Sequence, residues 1–145
     1  MIALAQLHVR LEALCLCAMA VSIGCGGDGP DAAYPGIEER PTVIATHPED
    51  GSTDVDPDLE ELRATFDRTM RDGSWSWAYM VEDRFPEIVG DPYYADEART
   101  TNVLPVRLER GRTYEVWINS ATFQNFQDEQ GRPAKPFALT FTTRP

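Results

Sequence analysis

Past its first 25 residues the chain has no cysteine, since Cys15, Cys17 and Cys25 are the only three. A disulfide framework and a cysteine-ligated zinc site are thereby excluded from the body of the protein. Histidine is almost as scarce. His8 sits near the N-terminus, which leaves His47 as the body's single imidazole. A Ser-His-Asp site would have to use it, and no G-x-S-x-G elbow is present to offer an activated serine. A histidine beside a turn proline, here Pro48, is ordinarily exposed and inert. There is no Gly-rich phosphate loop and no H-E-x-x-H helix. Glu82, Asp83, Glu87 and Asp91 gather near aromatics, as a paired-carboxylate hydrolase would need, but a domain this small offers no deep cleft for them. The expectation is no catalysis and no cofactor.

Positive charge is also in short supply. Formal net charge is −11, with 24 acidic residues against 13 basic ones, of which only Lys135 is a lysine. Nucleic acid is therefore not an expected partner, because its phosphates would be confined beside like charge. The carboxylates are scattered, which reads as a solvated acidic surface. Asp54, Asp56 and Asp58 have the spacing of the first three ligands of an EF-hand loop. Leu59 then stands where the sharp-turn glycine is needed, Thr65 where the bidentate glutamate is needed, and Pro57 interrupts the loop. No metal site is expected there.

No apolar run is long enough to cross a bilayer. The longest, Ala13–Ile23, has about eleven residues against a hydrocarbon core of about 30 Å, which suits the core of a signal peptide instead. It is followed by Gly24-Cys25-Gly26-Gly27, which resembles the lipobox of bacterial lipoproteins, where a small residue precedes the cysteine that becomes the lipidated N-terminus. The expectation is a signal peptide over 1–24, lipidation at Cys25 and attachment to a membrane, with export to the cell envelope. Plain secretion, by cleavage after Ala18-Met-Ala20, is the alternative and would leave Cys25 a free thiol. Residues 25–40 are rich in Gly, Pro, Asp and Ala. They read as a flexible tether with a reach of roughly 20 Å.

What the body does have is alternation. In Thr113–Ser120 the residues Tyr114, Val116 and Ile118 fall on one face, with Thr113, Glu115 and Asn119 on the other. In Pro136–Thr143 the residues Phe137, Leu139 and Phe141 alternate with Ala138, Thr140 and Thr142. This period of two marks half-buried antiparallel strands and predicts a hairpin around which the rest is organised. Upstream, Pro41–His47 predicts a first strand, and Leu62, Ala64 and Phe66 predict a second with that face inward. Ser74–Val81 predicts a third, with Trp75, Trp77, Tyr79 and Val81 on one face. Glu82–Thr100 reads as a long excursion with a short edge strand around Glu87–Val89. Thr101–Leu108 predicts a strand with Leu104, Val106 and Leu108 inward, and Pro105 within it implies an edge position or a bulge. Short strands at roughly ten-residue spacing, broken by Gly, Pro and Asp turns, indicate an all-β antiparallel sandwich of about seven strands over 41–145.

Five motifs stand in order along that body: Pro48-Glu-Asp-Gly51 with Val55, Phe66-Asp-Arg-Thr-Met70, Leu108-Glu-Arg-Gly-Arg-Thr-Tyr114, Asp128-Glu-Gln-Gly131 and Phe141-Thr-Thr143. Together they resemble the bacterial Ig-like domain first described in S-layer proteins. The resemblance implies an Ig-like sandwich serving as a spacer, a surface-assembly unit or an accessory module, with no shared catalytic residue. On this reading the chain is a non-catalytic envelope module, a lipid-anchored spacer or a protein-interaction domain. The alternative is a small carbohydrate-binding module. Its candidate ligand-binding aromatics are Trp75, Trp77, Tyr93 and Tyr94, whose rings would stack on the sugars of an envelope polysaccharide. Against it stands the plain reading that these rings, and Trp117 with them, are packing residues.

Overall fold

The computed structural model describes residues 40–145. The expected signal peptide, Cys25 and all of the tether except Arg40 lie outside the described residues. Arg40 is part of the domain. Its guanidinium donates to the carbonyls of Pro133 (2.9 Å) and Ala134 (3.1 Å).

The strands are β1 (Val43–His47), β2 (Glu61–Phe66), β3 (Trp77–Ala78), β4 (Glu87–Ile88), β5 (Tyr93–Tyr94), β6 (Thr101–Arg107), β7 (Thr113–Ile118) and β8 (Phe137–Thr142), with a single 3₁₀ turn at Glu82–Arg84. They form two antiparallel sheets. One runs β1-β2-β6, with β4 and β5 sharing the far side of β6, and the other runs β3-β7-β8. The expected all-β sandwich is what forms. The hairpin is in the expected register, with Tyr114 opposite Phe141, Val116 opposite Leu139 and Ile118 opposite Phe137.

Alternation decides the core. Leu62, Ala64 and Phe66 of β2, Leu104 and Val106 of β6, Tyr114, Val116 and Ile118 of β7, and Leu139 and Phe141 of β8 are all buried in one cluster. Two ring pairs tie it together, Phe66 with Phe126 at 5.1 Å and Tyr114 stacked on Phe141 at 5.3 Å. Such pairs add about 0.5–1.5 kcal/mol each to what burial alone gives. The hydroxyl of Tyr114 accepts the Glu109 backbone N–H at 2.7 Å, which closes the corner leading into β7. Gly111 makes that corner at φ 62°, a conformation that costs a side-chain-bearing residue energy.

The motif segments build the joints. Asp67 receives the backbone N–H and the hydroxyl of Thr42, which fixes the start of β1. Asp128 is buried. Its carboxylate accepts the N–H groups of Gln130 and Arg132 and the Arg132 guanidinium at 2.7 Å. Residues 51–55 run beside β8, with Gly51 N–H on Thr140 O (2.7 Å), Thr142 N–H on Ser52 O (2.7 Å) and Val55 N–H on Thr142 O (3.1 Å). Val55 and Thr143 form a parallel bridge there.

Three expectations are corrected. The third strand is only Trp77–Ala78, where an eight-residue run was expected, and Tyr79, Met80 and Val81 are exposed beyond it. Pro105 is not on an edge strand, because β6 pairs with β2 on one side and with β4 and β5 on the other. The chain tolerates this proline because its nitrogen faces a gap. Pro105 O accepts from Val89 N–H, while Val106 N–H turns the opposite way to Glu60 O. The ring therefore looks toward the break between β4 and β5, where a Cβ on Gly90 would lie 3.3 Å from it. Finally, Asn119 is buried and not on the polar outer face. β7 ends at Ile118, and a φ of 57° turns the Asn119 side chain inward.

Candidate interaction surface

The four candidate aromatics do not form one platform. Strand β5 alternates, so Tyr93 points out and Tyr94 in. Tyr93 is exposed, its hydroxyl 3.4 Å from a Glu61 carboxylate oxygen, and it lines a trough with Val89 and Pro105 on the outer face of the larger sheet. Tyr94 packs on the core opposite Asn102. Its hydroxyl is buried with no partner among the described residues, and burial raises its pKa above the ordinary tyrosine value. It stays a neutral phenol.

Trp77 also turns inward. It lies opposite Ile118, its ring meets Phe126 edge-on at 5.7 Å, and its indole N–H donates to Asn102 Oδ1 across the two sheets at 2.8 Å. Its polar handle is thus used inside the protein. Trp75 is half-buried against the same core. Trp117, on the outer face of the smaller sheet, is flanked in register by Ala78 and Ala138. These small neighbours leave room for the ring, and its N–H donates to Glu115 at 2.9 Å.

A different group of rings does meet at the surface. Trp75, Trp77, Tyr79 and Phe123 line a hollow of about 360 Å³ beside β3. Phe123 arrives through the long loop after β7. Ser120 Oγ accepts the N–H groups of Thr122 and Phe123, and Ser120 N–H returns to Phe123 O at 2.7 Å. Asn119 holds the next part of the loop, giving its Nδ2 hydrogens to Phe126 O and Ala134 O and taking the Phe126 N–H. Two bonds stitch the loop to the approach to β3, Asn125 N–H to Ser76 Oγ and Ser74 Oγ–H to Asn125 O, both at 2.9 Å. No local spacing in the sequence announces that Phe123 joins Tyr79.

On the other side of Tyr79 lies a cleft of about 410 Å³ whose walls include Phe85, Glu82, Glu87, Glu109, Arg107 and Arg112. Tyr79 and Phe85 pack as tilted rings at 5.6 Å. The cations there are occupied. Arg107 bonds both oxygens of Glu87 at 3.0 Å. Arg112 pairs with Glu109, donates to Asp83 O and lies 5.7 Å over the Tyr114 ring. The bond to Glu109 raises the Arg112 pKa further.

Among the described residues no serine or carboxylate is hydrogen-bonded to His47. Ser52, its neighbour in a shallow hollow, gives its hydroxyl hydrogen to Glu49 O at 2.7 Å. Of the EF-hand-like acids, Asp56 bonds the Asp58 N–H, which lowers its pKa, and pairs with Arg144, with Asp54 nearby at 3.8 Å. Among the described residues no three His, Cys, Asp or Glu side chains are grouped to hold a metal ion.

A family model described as bacterial Ig-like domain matches residues 37–143. The chain belongs to that family. The matched span covers the whole sandwich, with both hollows beside β3 inside it. Bacterial Ig-like domains are generally non-enzymatic modules of extracellular or surface proteins. No curated protein matches the chain. Among the described residues no helix is long and apolar enough to cross a membrane.

Proposed function

We propose that this Ig-like protein is an interaction module of the cell envelope, of the type first described in S-layer proteins, anchored to the membrane through lipidated Cys25. A lipoprotein signal peptide over 1–24 would direct export, and residues 25–39 would carry the domain clear of the lipid headgroups. The observation that supports anchoring is Gly24-Cys25-Gly26-Gly27 directly after the apolar run, with every cysteine of the chain confined to that region. The domain's own contribution is to present a surface, since many of its polar side chains serve joints and ion pairs.

The carbohydrate-binding alternative keeps one supporting observation, the exposed rings of Tyr79 and Phe123 beside Trp75. It loses Trp77 and Tyr94 as stacking platforms, because both pack on the core. The decisive experiment is an intact mass of the protein recovered from the membrane fraction of a bacterial host, beside Cys25→Ala. The expected result is an N-terminus at Cys25 bearing diacylglycerol, absent from the mutant. A soluble product beginning at Val21 would refute anchoring and leave a secreted domain.

A further inference from the structure

We propose that the β3 side of the domain, from the Trp75–Phe123 hollow across Tyr79 to the Glu82–Glu87 cleft, docks an extended peptide segment of another protein in which apolar side chains alternate with Lys or Arg. This inference rests on the interaction-module reading above and names the surface and its partner's chemistry.

Three observations converge on it. The first is where apolar surface is left uncovered. Of the eight large hydrophobics exposed among the described residues, six lie within Tyr79–Tyr93 and a seventh is Phe123. Concentrated exposure of this kind marks a contact surface, whereas scattered residues would not.

The second is a free backbone edge. β3 ends its sheet, with β7 on one side and no described strand on the other. Asn119 N–H bonds Ser76 O, so Ser76 and Ala78 turn their peptide groups toward β7. In an antiparallel ladder the intervening residue faces away. The N–H and C=O of Trp77 therefore point outward, where an added strand would find them.

The third is charge. Residues 82–91 hold Glu82, Asp83, Glu87 and Asp91 against the single cation Arg84. Arg84 leans on Glu115 at 3.6 Å, and Arg107 and Arg112 are held by Glu87 and Glu109. The carboxylates of Glu82 and Asp91 have no ion-pair partner among the described residues, and that of Asp83 has only the longer-range field of Arg112, which is already paired with Glu109. A basic partner would satisfy them and be steered by them. A neutral glycan would use the rings but leave both the carboxylates and the Trp77 backbone unmatched.

The test uses the full-length protein and a fluorescein-labelled peptide of about ten residues alternating Lys with Val and Phe, the length of a typical added strand. Fluorescence anisotropy is read beside the same peptide with Glu in place of Lys, and beside neutral dextran as competitor. The expected result is binding of the Lys peptide alone, weakened at high salt. Tyr79→Ala, Phe123→Ala and the pair Glu82→Lys with Asp83→Lys should each weaken it roughly tenfold or more, with thermal midpoints unchanged. Glu49→Lys, on the far side near β1, should leave it unaltered. Failure to bind, equal binding of the Glu peptide, or an equal loss in Glu49→Lys would each overturn the proposal. Displacement by dextran would overturn it in favour of a glycan site. None of these outcomes depends on the Cys25 mass measurement, so peptide docking and membrane anchoring stand or fall separately.

Discussion

The two flanks of this sandwich are built to different standards. On the β1/β8 flank, residues 51–55 and Arg40 seal the joint with backbone and side-chain bonds, and among the described residues Ile44 is the one large hydrophobic left exposed there. On the β3/β4/β5 flank the strands are two residues long, and the chain between them leaves a row of apolar side chains in water. The core beneath is continuous across both. The contrast shows that stability in this domain comes from the five long strands and the loop after β7, while the residues from Tyr79 to Tyr93 are free to serve a surface.

That division can be challenged by substitution. Phe66→Ala removes a fully buried ring from the centre and should cost about 3–5 kcal/mol in urea denaturation. Asn119→Ala comes next, at about 1–3 kcal/mol, because the buried Phe126 N–H loses its partner, while the carbonyls of Phe126 and Ala134 each lose one of two donors and keep the Ala134 N–H and Arg40 respectively. Asn119→Gly separates the causes: it keeps the positive φ at no strain, so a loss nearly as large would assign the effect to the bonds. Trp77→Phe keeps a ring against Phe126 but orphans Asn102 Oδ1, and should cost about 1–2 kcal/mol.

A smaller effect is expected with pH. The Asp67 pKa is lowered by its bond to Arg68 and by Thr42. That of Asp96 is also lowered, since the Thr100 and Thr101 N–H groups outweigh the cost of burial. Folded-state values below the unfolded ones mean that this stabilisation is fully present above about pH 4, the ordinary carboxylate range. It is lost as pH falls through the lowered values. Urea midpoints at pH 7 and pH 3 should therefore differ less in Asp67→Asn than in the wild type. Smallest of all, Tyr79→Ala should change stability by less than about 0.5 kcal/mol. A cost comparable to that of Phe66→Ala would erase the distinction between the flanks.

The strands that supply the core were legible because they alternate and pair over their whole length. β2, β7 and β8 show buried faces where the period of two puts them. Alternation misled where pairing stops early. Ser74–Val81 keeps the pattern in sequence, but β7 offers partners only to Trp77 and Ala78. Asn119 fell to the wrong face for the same reason, since the period was carried one residue past the end of the strand. Pro105 obeyed its chemistry, but of the two positions expected for it, edge or bulge, the edge is not the one used: the missing N–H is accommodated by a break between β4 and β5, whose registers on β6 differ. The candidate site was the least legible part. Tyr93 and Tyr94 look alike in sequence and lie on opposite faces of β5. Phe123 reaches the hollow it lines with Tyr79 through a loop whose path is set by Ser120 and Asn119.

The parallel bridge at Val55 and Thr143 bears on how the domain would carry load. Residues 51–55 lead toward the N-terminal side and residues 140–144 lead to the C-terminus, and the two run in the same direction side by side. Tension between the ends would pull them past each other along their lengths. The bonds Gly51–Thr140, Ser52–Thr142, Val55–Thr142 and Val55–Arg144 would then be strained at once, instead of opening one after another as in a peeled hairpin. A module fixed at its N-terminal end and gripped elsewhere would in this way resist being drawn out by the patch that also closes its β8 edge.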